Sequence, residues 1–168
     1  LNFQYDENFS SLKLQINAIA KTVSGQELHT SSTVYSWVDQ LIEGKESFVR
    51  SKTIGKTRLK RPFRVLDIYK GTAKNKPVLV LLTRQHPPEV TGYFAFQAFL
   101  STILEENKLS TSFLEHYRIL AFPLMNPDGV DLGHWRHNAG GVDTNRDWSF
   151  YHQPEIKITV DYITQVLK

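Results

Sequence analysis

Apolar residues recur along this chain with two different periods, and the switches between them mark its elements. Val34, Trp37, Val38, Leu41 and Ile42 fall at helical spacing behind a Ser/Thr cluster and ahead of Gly44, which predicts a short amphipathic helix over residues 30–43. Residues 65–69 and 78–83 read as strands, joined by a turn over 71–77. The second contains the unbroken run Val78-Leu79-Val80-Leu81-Leu82, the pattern of a central strand buried on both faces. From residue 90 to 106 the period becomes helical again. Phe94, Phe96, Ala98, Phe99, Leu100, Ile103 and Leu104 wrap around that helix, so it is expected to be largely buried. Residues 113–116 suggest a further short helix and 117–122 another strand. Gln153-Pro154-Glu155 opens a last helix, with proline early and an acid in the first turn. Near the start, Leu12, Leu14 and Ile16 alternate, and Ile19 and Val23 follow; strand and helix fit equally well there.

Strands interleaved with helices predict an α/β sandwich around a mixed sheet. Two polar loops, His86-Pro87-Pro88-Glu89 and Asn126-Pro127-Asp128-Gly129, each follow a strand. If those strands are parallel neighbours, both loops emerge on the same side, where open α/β sheets bind ligands.

Composition narrows this only slightly. The 168 residues are 40% hydrophobic and 22% charged, ordinary for a globular chain and enough for one domain with a sizeable core. The net charge of +3 does not argue for a nucleic-acid partner. Arg50, Lys52, Lys56, Arg58, Lys60, Arg61 and Arg64 crowd one stretch, which reads as the solvated face of an exposed hairpin or sheet edge. No cysteine is present, so disulfides, thiol nucleophiles and cysteine zinc sites are excluded, and any metal must use His and carboxylates. No apolar run is long enough to span a bilayer. The first residue is Leu1, which points to a trimmed start and leaves the compartment open.

The chemistry gathers in two places. His86 and Glu89 offer one imidazole and one carboxylate, both ligand types that zinc accepts, on a loop stiffened by two prolines. Farther on, Gly140 and Gly141 allow close backbone approach ahead of Asp143, Asn145 and Arg146. An arginine fork suits a carboxylate, and Arg136 adds a second cation beside it. The bland alternative pairs Arg136 and Arg146 with Asp131, Asp143 and Asp147 on a solvated loop.

Their order and spacing set the reading. Gln85-His86-Pro87-Pro88-Glu89, Pro123-Leu124-Met125-Asn126-Pro127-Asp128-Gly129, Trp135-Arg136-His137-Asn138 and Gly141-Val142-Asp143-Thr144-Asn145-Arg146-Asp147-Trp148 together resemble the zinc metallocarboxypeptidases of the M14 type. The resemblance extends upstream through Thr53-Ile54-Gly55-Lys56-Thr57 and Arg61-Pro62-Phe63 and covers roughly residues 35–168. It looks closer to the cytosolic-type and bacterial branches than to the digestive enzymes. It implies a zinc carboxypeptidase sandwich, incomplete here, with residues 1–30 as an N-terminal segment and 31–168 as part of a catalytic domain. It further implies Zn²⁺ held by His86 and Glu89, with Asp143 orienting His86. Arg136 would polarise the scissile carbonyl, and Asn145 and Arg146 would grip the terminal carboxylate of a peptide.

The family's third zinc ligand, substrate-contacting tyrosine and general-base glutamate are expected beyond Lys168, since His152 lies too close to Arg146 to be that ligand. The chain taken alone is therefore expected to be weakly active or inactive. His134 and His137 are expected to support their loop by hydrogen bonding, His29 and His116 to be ordinary surface residues, and Asp147 to reshape the pocket near Asn145. An incomplete sheet is expected to leave an edge through which two copies can associate. Two other functions fit the same residues: a zinc amidohydrolase or deacylase acting on a carboxylate-bearing small molecule or a peptidoglycan stem peptide, and a non-catalytic carboxylate-binding module.

Overall fold

The computed structural model describes residues 2–8, 12–15 and 27–168. Its frame is a four-stranded mixed sheet in the order β3-β4-β6-β5. Strands β3 (Val49–Lys56) and β4 (Pro62–Ile68) form a hairpin, β4 runs antiparallel to β6 (Arg118–Phe122), and β6 runs parallel to β5 (Val78–Leu82). A separate hairpin joins β1 (Asn2–Tyr5) to β2 (Leu12–Gln15), so the alternating leucines form a strand; Ile16, Ile19 and Val23 lie outside the described residues.

Side-chain alternation on β4 and β6 builds a core on each face of the sheet. Leu66, Ile68, Ile119 and Ala121 point one way, to helices α1 (Ser31–Ile42), α2 (Val90–Ile103) and α3 (Lys108–His116). Phe63, Val65, Leu120 and Phe122 point the other way, to Met125 and Ile156 of α5 (Pro154–Leu167). Layers therefore lie on both sides of a mixed sheet, as the strand and helix pattern predicts. Truncating one of these fully buried side chains, such as Leu120, would cost about 2–5 kcal/mol. Helix α5 lies hard against β3. A Cβ on Gly55, beside the register shift in that strand, would come within 2.6 Å of Ile158 Cδ1.

The predicted ends of α1 appear where its caps require them. Thr30 accepts a hydrogen bond from the Thr33 amide at 3.3 Å, and Gly44 takes the left-handed φ of +74° that favours glycine. The last helix starts at Gln153-Pro154-Glu155 as predicted.

Two expectations are corrected. Strand β5 is apolar enough for a sheet centre but lies at the edge of the described sheet, half-buried, with Leu82 exposed. Its composition records two apolar faces and says nothing about whether a backbone neighbour is present on each side. Helix α2 is buried along Val90, Tyr93, Phe96 and Leu100, while Phe94 and Phe99 on its other side are exposed. No described helix is long and apolar enough to cross a membrane.

Candidate active site

Parallel pairing of β5 and β6 brings both polar loops to the same end of the sheet. Thr83 N–H donates to Phe122 O and Met125 N–H to Thr83 O, so the two segments stay joined past the last strand residues. Beyond this point Arg84 adopts a left-handed φ of +56°, and its buried guanidinium donates Nε–H to Pro87 O at 3.0 Å. That bond and the two prolines close a tight turn, in which the Glu89 amide donates to His86 O before α2 begins at Val90.

His86 is buried, and both its ring nitrogens are engaged. Nδ1 lies 2.7 Å from Glu89 Oε1, and Nε2 lies 2.9 Å from Asp143 Oδ1. Asp143 also accepts from Arg136 Nε–H at 2.6 Å and from the Asn145 amide at 2.9 Å. Burial by itself pushes the Asp143 carboxyl up, but the bonds from Arg136, His86 and the Asn145 amide together outweigh it and bring it down to about 2. It is therefore an anion at any physiological pH, and the result is a continuous polar row, Glu89–His86–Asp143–Arg136.

The loop carrying Arg136 and Asp143 is braced from inside by the fully buried Asn138. Its Oδ1 accepts from the Gly140 and Val142 amides, and its Nδ2 donates to Gln153 Oε1 at 2.8 Å and Glu155 Oε2 at 3.2 Å. The Asn145-Arg146 pair sits in a short 3-10 helix, Thr144–Arg146, capped by the Asp143 side chain. Asn145 and Arg146 are exposed, and Arg146 forms no ion pair among the described residues. The bland pairing fails for most of its members. Asp131 is held by Arg61 and Ser31, and Asp147 accepts from the Gln153 amide at 2.7 Å, which leaves only Arg136 with Asp143.

That use of Asp147 turns it toward the entry of α5 rather than toward a pocket at Asn145, contrary to expectation. His134 Nδ1 bonds to His137 O within the Arg136 loop, in keeping with a supporting role. His116 is exposed, and His152 is exposed and stacks on Phe150. His29 is not an ordinary surface residue, since it packs edge-on against Tyr93 and Phe94. Sequence reading missed the roles of Asn138 and Arg84. Neither falls in a periodic pattern, and only the positions beside known motifs hinted at them.

The donor chemistry meets a zinc ion partway. With Nε2 occupied by Asp143, the His86 nitrogen that remains faces a carboxylate, giving two ligands of the accepted types. Among the described residues no cluster of three or more His, Asp or Glu side chains is placed to hold a metal.

Residues 34–162 match the zinc carboxypeptidase (Peptidase M14) family, and the chain belongs to it. Cytosolic carboxypeptidase 1 of Gallus gallus is similar, with 33% identity over 75 residues, which are 45% of this chain and 6% of that protein. Cytosolic carboxypeptidase 6 of Mus musculus is 25% identical over 124 residues, 71% of this chain and 23% of its own length. A putative carboxypeptidase from Burkholderia mallei shares the fold, with a TM-score of 0.74 at 20% identity over 82% of this chain and 36% of that one. The chain thus spans less than a quarter of either cytosolic relative. The family read from the motifs agrees with this match, and cytosolic carboxypeptidases are among its relatives.

Proposed function

We propose that residues 31–168 form the part of a metallocarboxypeptidase catalytic domain that contributes two zinc ligands, the carbonyl-polarising arginine and the carboxylate clamp, with residues 1–30 as a separate N-terminal segment. The observation that carries this reading is the row Glu89–His86–Asp143–Arg136, followed along the chain by Arg146, which forms no ion pair among the described residues.

Each residue has a distinct task. Asp143 accepts Nε2–H of His86, so that Nδ1 keeps its lone pair toward Glu89, and these two groups would hold Zn²⁺. Zinc bound there supplies Lewis acidity and makes water a competent nucleophile near neutral pH. Arg136 gives Asp143 only its Nε–H, which leaves its terminal N–H groups to meet negative charge developing on a peptide carbonyl oxygen. Arg146, with Asn145 beside it, binds the substrate's terminal carboxylate, so only the last peptide bond reaches the reacting centre. The substrate is a peptide with a free carboxyl end.

The test is to assay the complete gene product for bound zinc and for release of carboxy-terminal residues, with free peptides set against acylated amino acids and muropeptides. Zinc-dependent release from peptides, lost on chelation and when the carboxyl end is amidated, is expected. Activity confined to acylated amino acids or muropeptides would replace the reading with an amidohydrolase. Peptide binding indifferent to chelator and to His86→Ala would replace it with a carboxylate-binding module.

A further inference from the structure

The segment Asn126-Pro127-Asp128-Gly129 contributes nothing to the proposed metal or substrate contacts, yet it is among the most completely buried stretches of the chain. Its Asn126 side chain has no exposure and makes three hydrogen bonds. Oδ1 accepts from the Gly129 amide at 2.9 Å, capping the short helix α4 (Pro127–Asp131). Nδ2 donates one hydrogen to Gln85 O at 3.4 Å and the other to His137 O at 3.1 Å. Gln85 immediately precedes His86, and His137 immediately follows Arg136. One planar amide therefore spans the backbones of the two loops.

The surroundings are built around this span. A Cβ on Gly129 would lie 2.6 Å from both His137 O and Asn126 Nδ2, so this glycine is required for space rather than for its backbone angles. Asp128 anchors the base of the strut: Oδ1 accepts from Thr57 Oγ1 and Arg61 Nη1, and Oδ2 accepts from the Leu59 amide, fixing α4 to the β3–β4 turn. Gln85 O is also approached by Thr144 Oγ1 at 3.5 Å, and Gln85 Oε1 accepts from Trp148 Nε1–H at 3.2 Å, which brings the carboxylate-clamp segment to the same point.

We propose that Asn126 is a positioning residue that sets the separation of His86 from Arg136, with Gly129 keeping the space it needs. The bonds that the Asp143 carboxylate accepts from both side chains fix their mutual orientation; the amide of Asn126 fixes the backbones from which they project. This rests on the reading of His86 as a metal ligand and Arg136 as the partner of the carbonyl oxygen.

Two variants of the complete gene product test it. Asn126→Ser keeps an oxygen able to cap Gly129 and loses both bridging donors, whereas Gly129→Ala drives a methyl group into the same strut. In each, kcat for peptide hydrolysis is expected to fall about 100-fold, with KM little changed and zinc retained, because small misplacement of catalytic groups costs that much. In an Arg136→Ala background, Asn126→Ser should cost little more, since both changes remove one function. Hydrogen exchange on metal-free protein gives a readout apart from activity. Residues 85–89 and 136–140 should both exchange faster in Asn126→Ser than in Leu120→Ala, a core variant that serves as the stability control. Wild-type kcat in folded, zinc-loaded Asn126→Ser, an equal loss with and without Arg136, or exchange matching the control would each overturn the proposal. If the unaltered protein releases no carboxy-terminal residues, the functional reading falls and the exchange comparison still decides the role of Asn126.

Discussion

Of the carboxylate–arginine clusters among the described residues, one around Asp128 and Asp131 and another around Asp143 invite comparison. In the first, Arg61 donates through Nε and Nη1 to both acids, and Ser31, Thr57 and the Leu59 amide supply the remaining bonds. Its polar groups are paired inward, and together they join α1, the β3–β4 turn and α4. In the second, Asp143 has three hydrogen-bond partners, but its neighbours keep free capacity. Arg136 uses one of its N–H groups, Glu89 is 59% exposed, and Arg146 forms no ion pair among the described residues. Charge and burial alone do not separate a structural network from a functional one. What distinguishes the Asp143 cluster is the bonding capacity that Arg136 and Arg146 leave unused.

Breaking each cluster should show opposite symptoms. Asp128→Ala leaves the Thr57 hydroxyl and the Leu59 amide without their acceptor and removes one of the two acids that hold Arg61, and a loss of about 3–5 kcal/mol in stability by urea titration is expected. A loss below about 1 kcal/mol would erase the contrast with the Asp143 cluster. Next in size, Arg136→Ala should lower kcat of the complete gene product roughly 100- to 1000-fold, with the melting temperature nearly unchanged. If instead stability collapses, the Asp143 cluster is structural too. Asp143→Asn keeps the shape but weakens the support of His86, and about a 10- to 100-fold loss of zinc affinity by competition titration is expected.

The smallest effect is one of pH. The folded state holds the Asp143 carboxyl near 2, below its ordinary value of 3.8, so its stabilisation is complete above the ordinary value and disappears as pH falls through about 2. At most roughly 2 kcal/mol is involved. Thermal melts from pH 5 downward should be steeper for the parent than for Asp143→Asn, and parallel curves would remove Asp143 from the acid response. Glu155 behaves oppositely: burial pushes its carboxyl up, so its contribution is present at low pH and declines as pH rises through its folded value.

The legibility of this molecule in its sequence follows the range of the interactions. Helix α1 was readable because its caps, Thr30 and Gly44, adjoin its apolar stripe. The two strand-end loops were readable because short motifs fix them. What sequence did not disclose depends on partners far along the chain. Arg61 belonged to a charge run on paper, and only folding brings it to Asp128 and Asp131. Glu155 was legible as a first-turn acid, but its complete burial against Asn138 was not. The edge position of β5 likewise depends on which strands pair, which its own residues do not encode.

The strand order has a consequence for the sequence of events in folding. The β3–β4 hairpin closes across a short turn, whereas β5 reaches β6 only after α2 and α3 have been threaded between them. Local pairing is the cheaper in chain entropy, so the hairpin is expected to form early and the parallel pair late. Transition-state φ-values should accordingly be higher at Val65 than at Leu81, and the reverse order would refute this sequence. His86 and Arg136 meet only once β5 has joined. A population that already shows its hairpin and much of its helix can therefore still contain chains with no site at all.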